Sequence, residues 1–539
     1  MADTVKTRVW FSNGMSYTWP EQEAGVQPNV GVCLPGGGTR AMCAAMGQLR
    51  ALLEIGFLQK TDYLSCVSGG SWAGTAFAYY KTGAANDQEL LGTPVDPQNI
   101  TMTLLEQLPA SSMAWGATQD LGAALEHAEH GGVPHDLLWA AAVGAVFFER
   151  YGIWDVKNLP YFSLDQKTVD EIRAANPSLA TAAFSTVRTP SSYKVPYLLI
   201  NATMDGPTAN VPYSTDPLVE VTYTPLYCGI PFQQTIDYIN KHSAALGGEW
   251  PALVGGGFIE PFAWGGSGPL GPVTNGRVEV TPRATPFGIA SASGTSSSAF
   301  AGIFEKIKLV DDLLPEEMYW PPVATGTTPP AQLFDFGDGG LLDNYGLVPL
   351  LMRGVKKIVV FINTENPLDL SYDGDPKTLA KGGDVDTNLP PFFGVKAKGF
   401  IDFNHNHVFP TGDYQPLIQA LQALKKAGQP MVHQSTHQVL ENQWWGLPGG
   451  GTVDVLWVYL DRVDAWKDKL TDKDVRLQVD LAPTGIGDFA HFPNYKTIDE
   501  NILPPWSLTE YTARQANLLA ALTCWVVRNS KDAFQKLLG

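Results

Sequence analysis

Cysteine is scarce in this chain: five residues in 539 (Cys33, Cys43, Cys66, Cys228, Cys524), an odd number with no CxxC pair. That argues against a disulfide scaffold and fits reduced thiols in a cytosol-like compartment. Basic residues are few as well, 36 Lys and Arg against 54 Asp and Glu, which leaves a formal charge of −18. No basic excess exists to neutralise phosphates, so nucleic acid is not the expected partner. Long apolar runs are missing too. The longest, residues 137–148, is well short of the roughly 20 residues a membrane-spanning helix needs. The start, MADTVKTRVWFSNGMSYTW, has no continuous apolar stretch of the signal-peptide kind. A soluble, cytoplasmic chain with at most transient, peripheral membrane or micelle contact is expected.

What is abundant is core-forming material. Apolar residues make up 44% and charged residues only 17%, enough to bury a large core. Residues 29–34 (NVGVCL) read as a buried strand, stopped by Pro35 and the glycines Gly36, Gly37 and Gly38. Ala41, Ala44, Ala45, Gln48, Leu52 and Ile55 then recur at helical spacing over 39–54, and Gly56 supplies a stop. A second strand over 63–67 runs into Ser68-Gly69-Gly70 and another helix toward Tyr80. Strand, glycine loop, helix, strand, serine turn, helix is the opening of a parallel α/β sheet. Further strands are expected at 197–202, 218–223, 357–363 and 453–460, with a helix near 344–352. A terminal helix is expected to begin with Ser507 and Glu510 as a capping box.

Residues 82–136 differ in composition, with eight acidic residues and no Lys or Arg. They read as part of a helical cap inserted at about 82–190. The expected organisation is an N-terminal arm (1–28) and one α/β domain (29–539), with a polar surface excursion at 365–392. The string Leu-Pro-Gly-Gly-Gly-Thr occurs at 34–39 and again at 447–452. Only the first copy stands between a strand and a helix, so only it can present helix N-terminal amides.

Three segments carry chemistry. Gly36-Gly37-Gly38-Thr39-Arg40-Ala41 frees backbone N–H groups at a helix start, suited to a pyrophosphate, a phosphate or an acyl-transfer oxyanion. The string satisfies G-x-G-x-x-A, but the acidic residue that a dinucleotide site requires is misplaced, because Asp62 precedes its strand. Cys66-Val67-Ser68-Gly69-Gly70 places a Ser at a strand-to-helix turn, as in a nucleophile elbow; a plain helix cap reads the same way. Ser71 and Ser296 are rival nucleophiles. Asp338-Gly339-Gly340-Leu341 offers a strand-end carboxylate, with an Asx-turn as the bland reading and Asp335 and Asp343 as neighbours. His405, His407 and His491 follow Asp338, in the order Ser…Asp…His, and leave a Ser–His–Asp triad open, and His405-x-His407 and His433-x₃-His437 have half-metal-site spacing without convincing partners.

Taken together, Gly36-Gly37-Gly38-Thr39-Arg40-Ala41-Met42, Ser68-Gly69-Gly70-Ser71-Trp72 and Asp338-Gly339-Gly340-Leu341 resemble the patatin-like and cytosolic group-IV phospholipase A2 / phospholipase B superfamily. Weaker echoes at 219–229, 255–265 and 354–361 extend the likeness over most of 30–365. The resemblance implies a mostly parallel central sheet with helices on both faces and a cap. It implies an acyl hydrolase acting on glycerophospholipid or lysophospholipid esters without metal or cofactor. Carried over by motif, Ser68 is the nucleophile and Asp338 its base, and the Gly37 and Gly38 amides form the oxyanion hole. Arg40 contacts phosphate or steadies the loop, and Gly36 and Gly69 line the substrate site. Cys66 stands where the family has Gly. The alternatives are a nucleotide-binding, Rossmann-like enzyme and a non-catalytic lipid-binding or scaffold protein with a degenerate site.

Overall fold

The computed structural model describes residues 4–12, 14–81, 86–208, 217–239, 249–299, 313–324, 328–379, 383–396, 404–497 and 509–539. Thirteen strands form one mixed sheet. In chain order they are β1 (Val5–Phe11), β2 (Val30–Leu34), β3 (Tyr63–Val67), β4 (Tyr197–Pro207), β5 (Val219–Tyr223), β6 (Cys228–Ile230) and β7 (Gly257–Ile259), then β8 (Arg277–Val280), β9 (Glu316–Tyr319), β10 (Gln332–Asp338), β11 (Lys357–Ile362), β12 (Met431–Gln438) and β13 (Thr452–Tyr459). The order across the sheet is β8-β1-β7-β6-β5-β4-β3-β2-β11-β13-β12, and the β9–β10 hairpin joins along β4.

The centre, β4-β3-β2-β11-β13, is parallel. Antiparallel strands extend it on both sides, which the sequence reading did not anticipate. Central strands alternate strictly between two cores, because successive side chains point to opposite faces. Val32, Leu34, Leu64, Cys66, Val359 and Phe361 belong to one core, and Cys33, Tyr63, Ile358, Val360 and Ile362 to the other. Helices α1 (Gly38–Glu54), α2 (Gly69–Tyr79) and α6 (Ala513–Asn529) cover the first face. Helix α5 (Tyr414–Lys426) covers the second. This is the expected α/β class with helices on both faces.

Residues 86–196 leave the main sheet between α2 and β4. They are largely helical, with one short parallel pair, Tyr161–Ser163 and Phe184–Thr186. The apolar run becomes helix α3 (Leu138–Phe147), buried on nearly all sides. It packs on α4 (Ile289–Ser296), with Trp139 Nε1 donating to the Gly294 carbonyl at 2.8 Å. Phe147 stacks on Trp72 of α2, ring centres 3.9 Å apart. Much of the segment's acidity has a structural use. Asp87 pairs with Arg188 and Asp96 with Arg528, Glu106 bonds Arg514, and Asp120 caps a helix.

Three expectations are corrected. Residues 1–28 are not a separate arm: Val5, Thr7 and Val9 alternate inward, and β1 is bonded into the sheet between β7 and β8. Within 365–392, Leu368, Leu389 and Phe392 are fully buried, so the stretch is anchored to the second core rather than lying wholly at the surface. Ser507 lies outside the described residues, and the terminal helix begins at Ala513 with Thr512 and Gln515 as its capping box. Among the described residues no helix is long and apolar enough to cross a membrane.

Candidate active site

Two strands share one edge of β4 and meet end to end. β3 runs parallel along its first half, with Val67 opposite Asn201. β10 runs antiparallel along the second half and ends with Asp338 opposite Ala202, the next residue. The residue that follows β3 and the last residue of β10 are therefore brought face to face. Ser68 Oγ donates to Asp338 Oδ2 at 3.0 Å.

Ser68 has φ 49° and ψ −123°, a region that side-chain-bearing residues avoid. Such a backbone costs of order 1–3 kcal/mol and persists only where its surroundings impose it. They do so here. The Ser68 amide donates to Ser296 Oγ at 3.0 Å, and the Ser296 hydroxyl in turn donates to the Asn201 carbonyl at 2.6 Å. Ser71 Oγ donates to the Ser68 carbonyl at 2.7 Å and lies 2.8 Å from Ser293 Oγ. Both rival serines thus brace the bend. α2 starts immediately after Ser68 and crowds the glycine loop. A Cβ on Gly69 would lie 2.1 Å from the Gly38 carbonyl oxygen, and one on Gly70 2.2 Å from that of Leu34.

Cys66 fits by a local exchange of volume. Its Sγ occupies the space where a Gly74 side chain would be, 2.4 Å from the position of that missing Cβ. The strand carries the bulk and the helix gives way. Gly74 is a residue that the sequence reading passed over; its spacing of one helical turn beyond Gly70 was the available signal.

The glycine loop lies alongside. A Cβ on Gly36 would come 3.1 Å from Ser68 Cβ, and the Gly36 amide donates to the Asn344 carbonyl at 3.0 Å. Gly37 and Gly38 both take positive φ, 125° and 56°, which glycine adopts without steric cost. Among the described residues neither of their amides has a protein acceptor. Arg40 folds back beneath the loop: Nε donates to the Asn363 carbonyl at 2.8 Å, Nη1 donates to that of Tyr495 at 2.6 Å, and Glu365 lies 3.5 Å away. Its contacts within the chain are those of a loop brace.

Asp338 is buried and receives three hydrogen bonds. The Gly340 amide donates to Oδ1 at 2.7 Å, while Ser68 Oγ and the Ala299 amide (3.3 Å) converge on Oδ2. Burial outweighs these donors and pushes the carboxyl up to about 6. Its neighbours are occupied elsewhere. Asp343 accepts from the amides of Tyr345, Gly346 and Val348, capping a helix, and Asp335 accepts from Thr208. Asp62 accepts from the Val30 amide at the far ends of β2 and β3 from the glycine loop, so a ribose bound near that loop would not reach it.

Among the described residues no histidine bonds Ser68 or Asp338. His405 stacks on Trp444, and His437 is held by Asp413 and Ser435. A serine hydroxyl aimed at a desolvated carboxylate, beside two unclaimed amides at a helix start, is equipped for nucleophilic attack with charge collected at the amides.

No family model matches the chain. Human cytosolic phospholipase A2 zeta is 48% identical over 50 residues, which is 9% of this chain and 6% of that protein. Human GIVD cytosolic phospholipase A2 aligns with a TM-score of 0.44 at 16% identity, covering 96% of this chain and 60% of that one. Its complex with methyl gamma-linolenyl fluorophosphonate aligns at 0.42 and 16%, covering 95% and 58%. The chain spans about 60% of the length of these solved structures.

Proposed function

We propose that this chain is a serine acyl hydrolase of the patatin-like and cytosolic phospholipase A2 kind, cleaving fatty acyl esters of glycerophospholipids or lysophospholipids. The observation that carries the reading is the 3.0 Å bond from a conformationally strained Ser68 to the buried Asp338. The three ordered motifs and the local identity with cytosolic phospholipase A2 zeta support the lipid substrate.

In this scheme the Ser68 proton passes to Asp338 as Oγ attacks the ester carbonyl. The oxyanion is received by the Gly37 and Gly38 amides. Collapse expels the alcohol, which takes the proton back from Asp338. Water, deprotonated by the same carboxylate, then releases the fatty acid and frees Ser68. An exposed Asp, with a pKa near 3.9, is a poor base; removal from water raises its proton affinity toward a working range. Losing one oxyanion donor costs about 10²–10³ in rate, so the glycine amides carry much of the catalysis. Arg40 keeps those amides in place, and the 82–190 insertion, seated on α2 and α4 through Phe147 and Trp139, serves as the cap.

The test is Ser68→Ala. Hydrolysis of phospholipid and lysophospholipid substrates is expected to fall to background with the circular dichroism spectrum unchanged. A fluorophosphonate is expected to label Ser68 in the unmodified chain. Full activity in the variant rejects the assignment.

A further inference from the structure

A second serine meets the geometric requirements of a nucleophile, in a different place. β12 is the last strand of the sheet, four strand positions from β3, or about 19 Å at roughly 4.8 Å per step. His437, on β12, is buried on the second face of the sheet, among Phe393, Phe409 and Trp457. Its ring stacks on Phe409 with centres 4.7 Å apart, which fixes its plane. Asp413, in the turn before α5, places Oδ2 2.9 Å from His437 Nδ1. Ser435, two residues earlier on the same face of the strand, places Oγ 2.7 Å from His437 Nε2.

The directions of these bonds follow from chemistry. An ionised carboxylate only accepts, so Nδ1 carries the ring proton and donates it to Asp413. Nε2 is then the acceptor, and Ser435 must donate to it. Trp457 Nε1, which can only donate, is shared between Ser435 Oγ at 3.0 Å and, more weakly, His437 Nε2 at 3.4 Å, so the Ser435 hydroxyl proton is the one left to bond the histidine closely. Burial also holds His437 below the usual imidazole range, while Asp413 acts in the opposite sense and the nearby His433 is the other titratable neighbour. The imidazole therefore stands neutral and ready to take a proton at neutral pH.

We propose that Ser435, His437 and Asp413 form a second nucleophilic centre, with Ser435 as nucleophile, His437 as its base and Asp413 positioning the ring. A hydroxyl bonded to a base that is itself oriented by a third group is the signature of an activated serine, recognised by geometry rather than chain order. Among the described residues β12 pairs only with β13, so the N–H groups on its outer edge have no strand partner, and in this scheme one of them receives the oxyanion. Ser435 lies half-buried on a strand face, where its hydroxyl has room for a small acyl group rather than a long chain. The matching substrates are small, water-soluble esters of short acyl groups, unlike the lipids proposed for Ser68. Attack on such an ester forms the Oγ–acyl bond and moves the Ser435 proton to His437 Nε2. The departing alcohol takes that proton, and water, deprotonated by His437, releases the acid. With a fluorophosphonate the Oγ–P bond forms and fluoride leaves.

The experiment uses the full-length chain carrying Ser68→Ala, treated with diisopropyl fluorophosphate and mapped by peptide mass spectrometry, with p-nitrophenyl acetate as a turnover substrate. An adduct on Ser435 is expected, with residual p-nitrophenyl acetate hydrolysis that disappears when Ser435→Ala is added. Asp413→Asn, a change at a half-exposed turn, is expected to slow both by at least tenfold while the circular dichroism spectrum is kept. Absence of a Ser435 adduct, under conditions in which the same reagent labels the active serine of chymotrypsin, overturns the proposal. So does labelling of Ser435 that Asp413→Asn leaves unchanged. If Asp413→Asn does not fold, loss of p-nitrophenyl acetate turnover on adding Ser435→Ala decides the matter alone. Labelling of Ser68 is read separately in the unmodified chain, so the two readings stand or fall apart.

Discussion

A carboxylate sealed from water costs the fold something, and Asp338 makes that cost measurable. Its proton affinity is raised by burial to about 6 from an ordinary value of 3.8, against the pull of three hydrogen bonds. A carboxyl raised in the folded state binds its proton more tightly there than in the unfolded chain. Its contribution to stability is therefore full below pH 4 and is lost as pH rises through about 6. At neutral pH the penalty is about 3 kcal/mol by the 1.36 kcal/mol that each pH unit represents. Asp338→Asn is expected to raise the melting temperature at pH 8 while abolishing ester hydrolysis. In the proposed mechanism, activity of the unmodified chain depends on the ionised form. Its kcat/KM is expected to fall tenfold per pH unit below about 6, which a pH–rate profile between 4.5 and 8 measures; a limb near 4 would mean an exposed carboxylate. Ser296 illustrates the other lesson at this scale. As a residue it offers a hydroxyl like any nucleophile, yet its oxygen is spent holding the Ser68 amide.

Between elements, the contact that matters most is β3 against α2. Gly74 lets α2 close on β3 at Cys66, while Gly69 and Gly70 make room for the Gly38 and Leu34 carbonyls of the glycine loop and β2. Cys66 and Gly74 share one volume, so they are expected to be coupled. Gly74→Ala places a methyl 2.4 Å from Cys66 Sγ, and overpacking of this kind costs about 1–3 kcal/mol. Cys66→Ala removes the sulfur, and its Cβ sits at an ordinary 3.4 Å from the new methyl. The double variant is expected to be more stable than the sum of the single changes by about 1 kcal/mol or more, measured by denaturant unfolding. Additivity within about 0.5 kcal/mol would show that the two sites do not share space.

At the scale of the whole molecule the excess of 18 negative charges bears on the proposed lipid substrate. Asp87, Asp96 and Glu106 are locally offset by arginines, but Glu126 and Glu129 remain exposed on the insertion. Attraction to anionic leaflets relies on clustered Lys and Arg. Vesicle co-sedimentation at low salt is expected to weaken as phosphatidylserine replaces phosphatidylcholine, and the difference is expected to fade toward 0.15 M salt as screening shortens to about 8 Å. Binding that strengthens with phosphatidylserine would point to a basic surface that the charge balance does not suggest.

The local order along the chain was legible without coordinates. Apolar runs bounded by Gly and Pro marked β2, β3, β4, β5, β11 and β13, and helical spacing marked α1, because burial on both faces leaves a continuous apolar signature. The turns at the glycine loop, Ser68 and Asp338 were legible as positions for a different reason: each is a strand end where backbone geometry restricts residue type. Short antiparallel strands such as β1 and β6 were not, since their partners lie far away in sequence and a strand of three to seven residues has too few positions to show a period. Tertiary structure alone decided that Ser68 meets Asp338, because 270 residues separate them and only the shared edge of β4 brings their strands head to head. It alone decided, too, that Ser435, His437 and Asp413 stand in line: a hydrogen bond needs two groups at one point in space, and spacing along a chain specifies only how far apart they are able to be.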